Sequence, residues 1–212
     1  MVSRTTPDAS APGSTSASAR ASGRPVRGAR GLPAERLMAA AERLFPREGI
    51  RAVGIERLIS EAEVARASLY HAYGSKDGLV VAYLDRRDAA DRAAWSGAAA
   101  RVEGPVARLL VLFDLAERGA PGRGYRGCLY LNAATEFPDP AHPVARAVAR
   151  HRAWLRALLT EELGAAGVPD VEERARVVEL LYDGALAGSK FAASTEPIAL
   201  ARERARALAT AG

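Results

Sequence analysis

Val64-Ala65-Arg66-Ala67-Ser68-Leu69-Tyr70-His71-Ala72-Tyr73-Gly74-Ser75-Lys76 is the stretch on which the fold turns. It reads as one short helix: Leu69 faces inward with Val64 ahead of it, while Arg66, Ser68, Tyr70 and His71 offer several hydrogen-bond donors within little more than two turns. A core can hold such a helix on one side while the other side reads base edges in a DNA major groove. Ser75 then caps a new helix, whose first turn offers free backbone N–H groups beside the Lys76 ammonium, a setting that suits phosphate.

The flanking sequence completes the unit. Leu37, Ala40, Ala41, Leu44 and Phe45 recur at helical spacing on one apolar face, in a helix opened by Pro33 and ended near Gly49. Ile55, Leu58 and Ile59 predict a short second helix, and Glu61-Ala62-Glu63 the turn before the reading helix. The order is helix, helix, turn, helix.

These residues resemble the DNA-binding domain of the TetR family of transcriptional regulators. The resemblance rests on Ala-Ala-x-x-Leu-Phe from Ala40 to Phe45, on Gly49, Ile59, Ala62, Val64, Leu69-Tyr70 and Tyr73, and on Ser75-Lys76-Asp77-x-Leu79. It implies an all-α homodimer whose variable C-terminal domain holds a small effector that controls affinity for a double-stranded DNA operator. Four residues, at three places, depart from the family pattern. Glu63 stands where a tight turn usually has Gly, at a cost on the order of 1 kcal/mol if φ there is positive. Val53-Gly54 replaces a hydroxyl pair before the second helix, and Ala72 removes a position that often carries a polar ring.

The chain has 212 residues, about half of them apolar, enough for a sizeable core. It lacks both a run of eighteen apolar residues and a charged-then-apolar leader, so a soluble, cytoplasmic protein without membrane contact is expected. Residues 1–31 have almost no large apolar side chain and read as a disordered basic arm. Its five arginines against Asp8 supply four of the chain's formal net charge of +5. From Leu32 to Arg92 ten basic side chains balance ten acidic ones. A basic face therefore has to be arranged locally, through Arg66, Lys76 and helix dipoles, or supplied by the arm entering a minor groove.

Downstream, Leu79 and Tyr83 begin one long helix that continues through Trp95 to about Ala100 and joins the two halves. Further helices are predicted from Gly104-Pro105 to Gly119, over Cys128 to Phe137, and from Asp139-Pro140 to about Leu163 with Asp139 as cap. Asp170-Val171-Glu172-Glu173 resembles a capping box opening a helix to about Ser194, and Pro197 starts the last, to about Ala209. Nine helices and no strand result. Residues 32–78 form the expected helix-turn-helix DNA-binding domain, and 79–212 the ligand-binding and dimerisation domain.

Other chemistries are poorly supported. Gly122-Arg123-Gly124-Tyr125-Arg126-Gly127 matches a dinucleotide fingerprint, yet the segment before it reads as helix and no βαβ unit surrounds it, so it is taken as an interhelical loop. Cys128, the single cysteine, excludes an intrachain disulfide; beside Arg123 and Arg126 it could be a reactive thiol, or a buried structural one. His71, His142 and His151 lie far apart without metal-ligand spacing, and neither metal nor cofactor is expected. No catalytic constellation can be assigned, and the chain is not expected to be an enzyme.

Trp95, Phe113, Tyr130, Phe137, Trp154 and Tyr182 lie on predicted helices of the second half. With Asn132, Glu136 and His151 they could line an apolar effector pocket bearing a few polar groups, or form ordinary core. The last two helices combine large and small residues, from Val177 through Gly188-Ser189 and from Ile198 to Leu208, which permits close packing within one chain or between two. The expected function is that of a dimeric, effector-responsive repressor. Arg66 reads guanine with Ala67 and Ser68 against base edges, and Tyr70, His71, Tyr73 and Lys76 hold phosphates. The alternative is a small-molecule-binding or Cys128-based sensor protein with degenerate operator recognition.

Overall fold

The structure is a computed structural model that describes residues 31–210. The basic arm expected over residues 1–31 lies, apart from Gly31, outside the described residues. Among the described residues there are nine α-helices, one 3-10 turn and no strand, as the all-α expectation requires.

Helix α1 (Pro33–Glu48) starts with proline where no N–H partner is needed and stops at Gly49, whose φ of 92° strongly favours glycine. Its buried face is Leu37, Ala40, Ala41, Leu44 and Phe45. Helix α2 (Ile55–Ala62) ends on Glu63 in the left-handed region, φ 50°, so the non-glycine turn expected there does carry a positive φ. Arg36 donates to the Glu63 carbonyl (3.0 Å) and to its carboxylate (3.2 Å), anchoring that turn to α1. Helix α3 (Arg66–Tyr73) buries Leu69 fully and ends at Gly74.

Helix α4 (Lys76–Ala99) begins with the predicted cap: the Gly78 N–H donates to Ser75 Oγ at 2.9 Å. Gly78 has a second reason to be glycine, because a Cβ there would stand 2.0 Å from the Tyr73 carbonyl oxygen. That close approach lets α4 leave α3 so abruptly. Helix α5 (Pro105–Gly119) and a 3-10 turn (Pro121–Arg123) follow, and the glycine-rich run continues as loop into α6 (Leu129–Glu136).

Two helix starts differ from the sequence reading. Helix α7 (Pro143–Ala165) opens at Pro143, where His142 Nδ1 accepts the Val144 N–H at 3.2 Å. Asp139 instead accepts the Ala141 N–H in a turn, so the second of two available prolines takes the first helical position. Helix α8 (Val171–Ala192) starts after Asp170 in the left-handed region (φ 52°), whose side chain makes no cap hydrogen bond, and the capping box does not form. Helix α9 (Glu196–Thr210) completes the chain, closely packed on α8 where a Cβ at Gly188 would meet the Pro197 side chain at 3.1 Å.

The buried apolar residues form two clusters. The first gathers Leu37, Leu44, Phe45, Leu58, Leu69, Leu79 and Tyr83, and also Tyr130 and Phe137 of the α6 region with Val144 and Val148 of α7. The second gathers Leu109 and Phe113 of α5, Leu155, Leu159 and Leu163 of α7, Val178 of α8 and Ile198 of α9. Cys128 packs against both. Among the described residues no helix is long and apolar enough to cross a membrane.

Candidate functional site

On α3, burial of Leu69 turns Arg66, Ala67, Tyr70 and His71 to solvent and leaves Ser68 half-buried. Six of the seven residues predicted to contact DNA thus share one short helix turned about a single anchored side chain, and Lys76 alone lies beyond it. No side chain caps the start of α3, where the Ser68 N–H donates to the Ala65 carbonyl at 2.9 Å. The Arg66 guanidinium pairs with Glu56 in the first turn of α2. Tyr73 is used differently: its hydroxyl donates to the Ala34 carbonyl at 2.7 Å, fastening α3 to α1, and burial raises its pKa. Lys76, half-buried at the start of α4, donates to the Arg51 carbonyl at 3.2 Å, and burial lowers its pKa.

Nothing near Arg66 or Lys76 in sequence marks Glu56 and Arg51 as their partners. Both partners come from across the helix-turn-helix, and only the spare acidic charge of α2 hinted that a reading arginine would find a carboxylate.

The nine residues predicted to line an effector pocket fall into separate groups. Tyr130, His151 and Trp154 come together: the Tyr130 and His151 rings stack with centroids 3.4 Å apart and planes 8° from parallel, and Trp154 lies 5.5 Å from His151. Two α4 carboxylates serve this stack. The Tyr130 hydroxyl donates to Asp91 at 3.0 Å, and His151 Nδ1 lies 2.8 Å from Asp88. Burial pushes the His151 pKa down, opposed by Asp88, and burial followed by the Asp91 charge pushes Tyr130 up. Arg92 covers the Trp154 ring at 5.0 Å.

Phe113 and Tyr182 form a second pair, edge to face at 5.4 Å. Trp95 stands apart and donates its indole N–H to the Arg108 carbonyl at 3.2 Å. Asn132 donates to the Arg126 carbonyl. Glu136 and Phe137 lie beside the turn between α1 and α2: the Ile50 and Arg51 N–H groups donate to the Glu136 carboxylate at 3.1 and 2.6 Å, and the Arg51 guanidinium covers the Phe137 ring at 4.9 Å.

The Tyr130 hydroxyl and His151 Nδ1 of the ring stack are both taken up by α4 carboxylates. An open groove of about 390 Å³ lies elsewhere, lined by Val102, Val106, Leu110, Asp114 and Arg202 among others, and none of the nine residues borders it. Burial pushes the Cys128 thiol up, outweighing the N–H groups of Leu131 and Tyr130 that favour the thiolate. Among the described residues no group of three or more His, Cys, Asp or Glu side chains could hold a metal ion.

Known proteins share this architecture. Residues 37–83 match the family described as bacterial regulatory proteins, tetR family. A TetR-family transcriptional regulator from Streptomyces coelicolor, of known crystal structure, is 37% identical; the match covers 84% of this chain and 92% of that one with a TM-score of 0.74. A TetR-type transcriptional regulator from Streptomyces avermitilis is 31% identical over 82% of this chain and 98% of its own, with a TM-score of 0.69. The HTH-type transcriptional repressor NemR of Escherichia coli K12 is 27% identical over 175 residues, 77% of this chain and 87% of that repressor.

Proposed function

We propose, from the premise that this chain belongs to the TetR family of transcriptional regulators, that it is a homodimeric repressor released from a palindromic operator by a small molecule. The observation that carries this reading is the exposure of Arg66, Ala67, Tyr70 and His71 on a helix anchored by fully buried Leu69. Arg66 reads guanine O6 and N7, leaving Glu56 to do so, with Ala67 and Ser68 against neighbouring base edges. Tyr70, His71 and Lys76 hold phosphates, while Tyr73 serves by fixing α3 on α1.

The dimer uses the outer faces of α8 and α9. Val177, Leu180, Gly184, Ala187 and Phe191 recur at alternating steps of three and four residues, all exposed, and Leu200 of α9 is exposed as well. Phe191 is 90% and Leu180 71% exposed, an unusual outlay of apolar surface for a free helix. Gly184 and Ala187 between them leave room for a second copy's helix. Twofold symmetry then sets two reading helices into grooves about one helical turn, roughly 34 Å, or a multiple apart.

The effector enters at the Tyr130, His151 and Trp154 rings, which bridge α6 and α7 and touch α4 through Asp88 and Asp91. Release requires the effector to bind better to a form whose reading helices are wrongly spaced, and tenfold induction needs about 1.4 kcal/mol of such preference. A thiol sensor built on Cys128 has less support, because burial disfavours its thiolate.

The test is a genomic-fragment binding selection with purified protein at about 150 mM salt, where non-specific phosphate affinity is reduced. One shared palindromic site is expected. On that site Arg66→Ala loses about 1–3 kcal/mol and relaxes one position, while Lys76→Ala weakens every sequence alike. Salt-sensitive binding with no shared site overturns the reading.

A further inference from the structure

Lys76 does not stand alone at the edge of the reading unit. Its ammonium donates to the Arg51 carbonyl at 3.2 Å, and the Arg51 backbone is held from the opposite side by Glu136, eighty-five residues on. Both Glu136 oxygens are engaged, one by Ile50 N–H at 3.1 Å and one by Arg51 N–H at 2.6 Å. Phe137 supports the same residue by lying under its guanidinium at 4.9 Å. Ile50 and Val53, at 2% and 0% exposure, pin the turn into the first apolar core, so the segment is fixed by packing below and by a carboxylate above.

From this juxtaposition we infer that Glu136, at the end of α6, is a positioning residue for DNA binding: it sets the α1–α2 turn so that the Arg51 carbonyl holds Lys76 extended toward a phosphate. A lysine held extended before it meets DNA loses less side-chain freedom on binding than one that is free. Without the carboxylate, the partly buried Ile50 N–H loses its acceptor and the exposed Arg51 N–H turns to water, and the turn moves to recover a partner for Ile50, taking the Arg51 carbonyl away from Lys76. The Glu136 charge works against phosphate, so its geometric role and its charge affect affinity in opposite directions. The inference rests on the reading of Lys76 as a phosphate contact.

A double-mutant cycle separates the two roles. Fluorescence anisotropy of the full chain is measured on the palindrome recovered by selection and on a random-sequence duplex, with Glu136→Ala, Glu136→Gln, Lys76→Ala and both combined. Glu136→Ala is expected to weaken binding to both duplexes about fivefold, and by less than about twofold when Lys76 is already alanine. Glu136→Gln, which keeps one acceptor oxygen and removes the charge, retains most of the affinity. Amide exchange at Ile50 and Arg51 accelerates in Glu136→Ala, while the unfolding midpoint of Glu136→Gln stays near wild type.

Equal weakening by Glu136→Ala in both Lys76 backgrounds overturns the inference, as does tighter binding by both Glu136 variants, which would reduce the residue to a charge. If Lys76→Ala itself binds both duplexes like wild type, the phosphate reading of Lys76 has failed and the inference falls with it. That single variant distinguishes the two failures.

Discussion

Around the reading helix, Arg36, Arg43, Arg57 and Arg66 meet Glu63, Glu61, Glu48 and Glu56 at the surface. In the C-terminal half two acids are inside: Glu162, 6% exposed, takes Arg108 of α5, and Glu179, 3% exposed, takes Arg152 and Arg156 of α7. Arg152 also grips Asp183 through two bonds of 2.7 and 2.6 Å. The difference lies in what each half does with its arginines. Pairs in water contribute little and can be exchanged for phosphate or a base edge. A buried carboxylate cannot surrender its partners without leaving charge unpaired. The reading unit therefore owes its shape to apolar packing and keeps its charges loose, whereas the second half uses charge to fix how α5, α7 and α8 sit together.

The largest test is at Glu179. Glu179→Ala leaves Arg152 and Arg156 without their shared buried partner and is expected to cost about 3 kcal/mol in urea unfolding, reduced from the fully buried case because Arg156 is half exposed. A loss under about 1 kcal/mol would break the contrast, since the buried pair would then behave like those at the surface.

Next comes Gly78, where the reading unit's dependence on packing is sharpest. Alanine in a helix interior normally gains up to about 1 kcal/mol over glycine, and Gly97→Ala, with open space around it in the same α4, should show that gain. Gly78→Ala should instead lose about 1–3 kcal/mol, because its Cβ would overlap the Tyr73 carbonyl. Thermal unfolding of the two variants side by side reads the opposite signs directly.

A smaller effect belongs to His151, which stacks on Tyr130 between the carboxylates Asp88 and Asp91, with Arg152 nearby. Its pKa is lowered in the folded chain, so below about pH 6.5 the unfolded chain takes up a proton that the native one resists. Stability from this residue is complete above that pH and drains away as pH falls toward the lower native value. Between about pH 7.5 and 5.5 the wild-type unfolding midpoint should fall more than that of His151→Gln. Parallel profiles would mean that the ring titrates alike in both states.

The parts of this molecule that were legible in the sequence are those determined by near neighbours. Pro33, Gly49 and Ser75 mark helix ends through their own backbone chemistry, and all three do so in the fold. The positive φ at Glu63 was suggested only by the family resemblance, which usually places Gly there. Asp139 and Asp170 show where local signals fail: each satisfies the composition of a cap, but backbone conformation or a competing proline decides, and neither caps its helix. At the candidate site, the exposed residues of α3 followed from the helical spacing around Leu69. The tie from Glu136 to Ile50 and Arg51 did not, because nothing near Glu136 in sequence marks it as an acceptor for a turn so far away. The nine aromatic and polar residues of the second half likewise have the right chemistry for a pocket, but periodicity does not say which of them share a neighbour.

The smallest effect on stability, and the one that bears most directly on function, is expected at Glu56. Its ion pair with Arg66 joins two side chains that are 68% and 57% exposed, so Glu56→Gln should leave the unfolding midpoint unchanged. Its effect belongs to DNA binding. On a duplex lacking guanine at the matching step, the wild-type guanidinium has no base partner to draw it from Glu56, and it contributes little to holding phosphate. With glutamine at position 56 that cation is free to meet any phosphate, so affinity for a random duplex should rise about threefold, with a salt slope steeper by about 0.9. On the selected operator Arg66 already exchanges Glu56 for guanine, and the gain should be smaller. Glu56→Gln would then bind more tightly and discriminate less, and combining it with Arg66→Ala should abolish the difference between duplexes. An equal gain on both, or a gain that survives without Arg66, would mean that Glu56 only repels the backbone and that the loose charges of the reading unit do not include its reader.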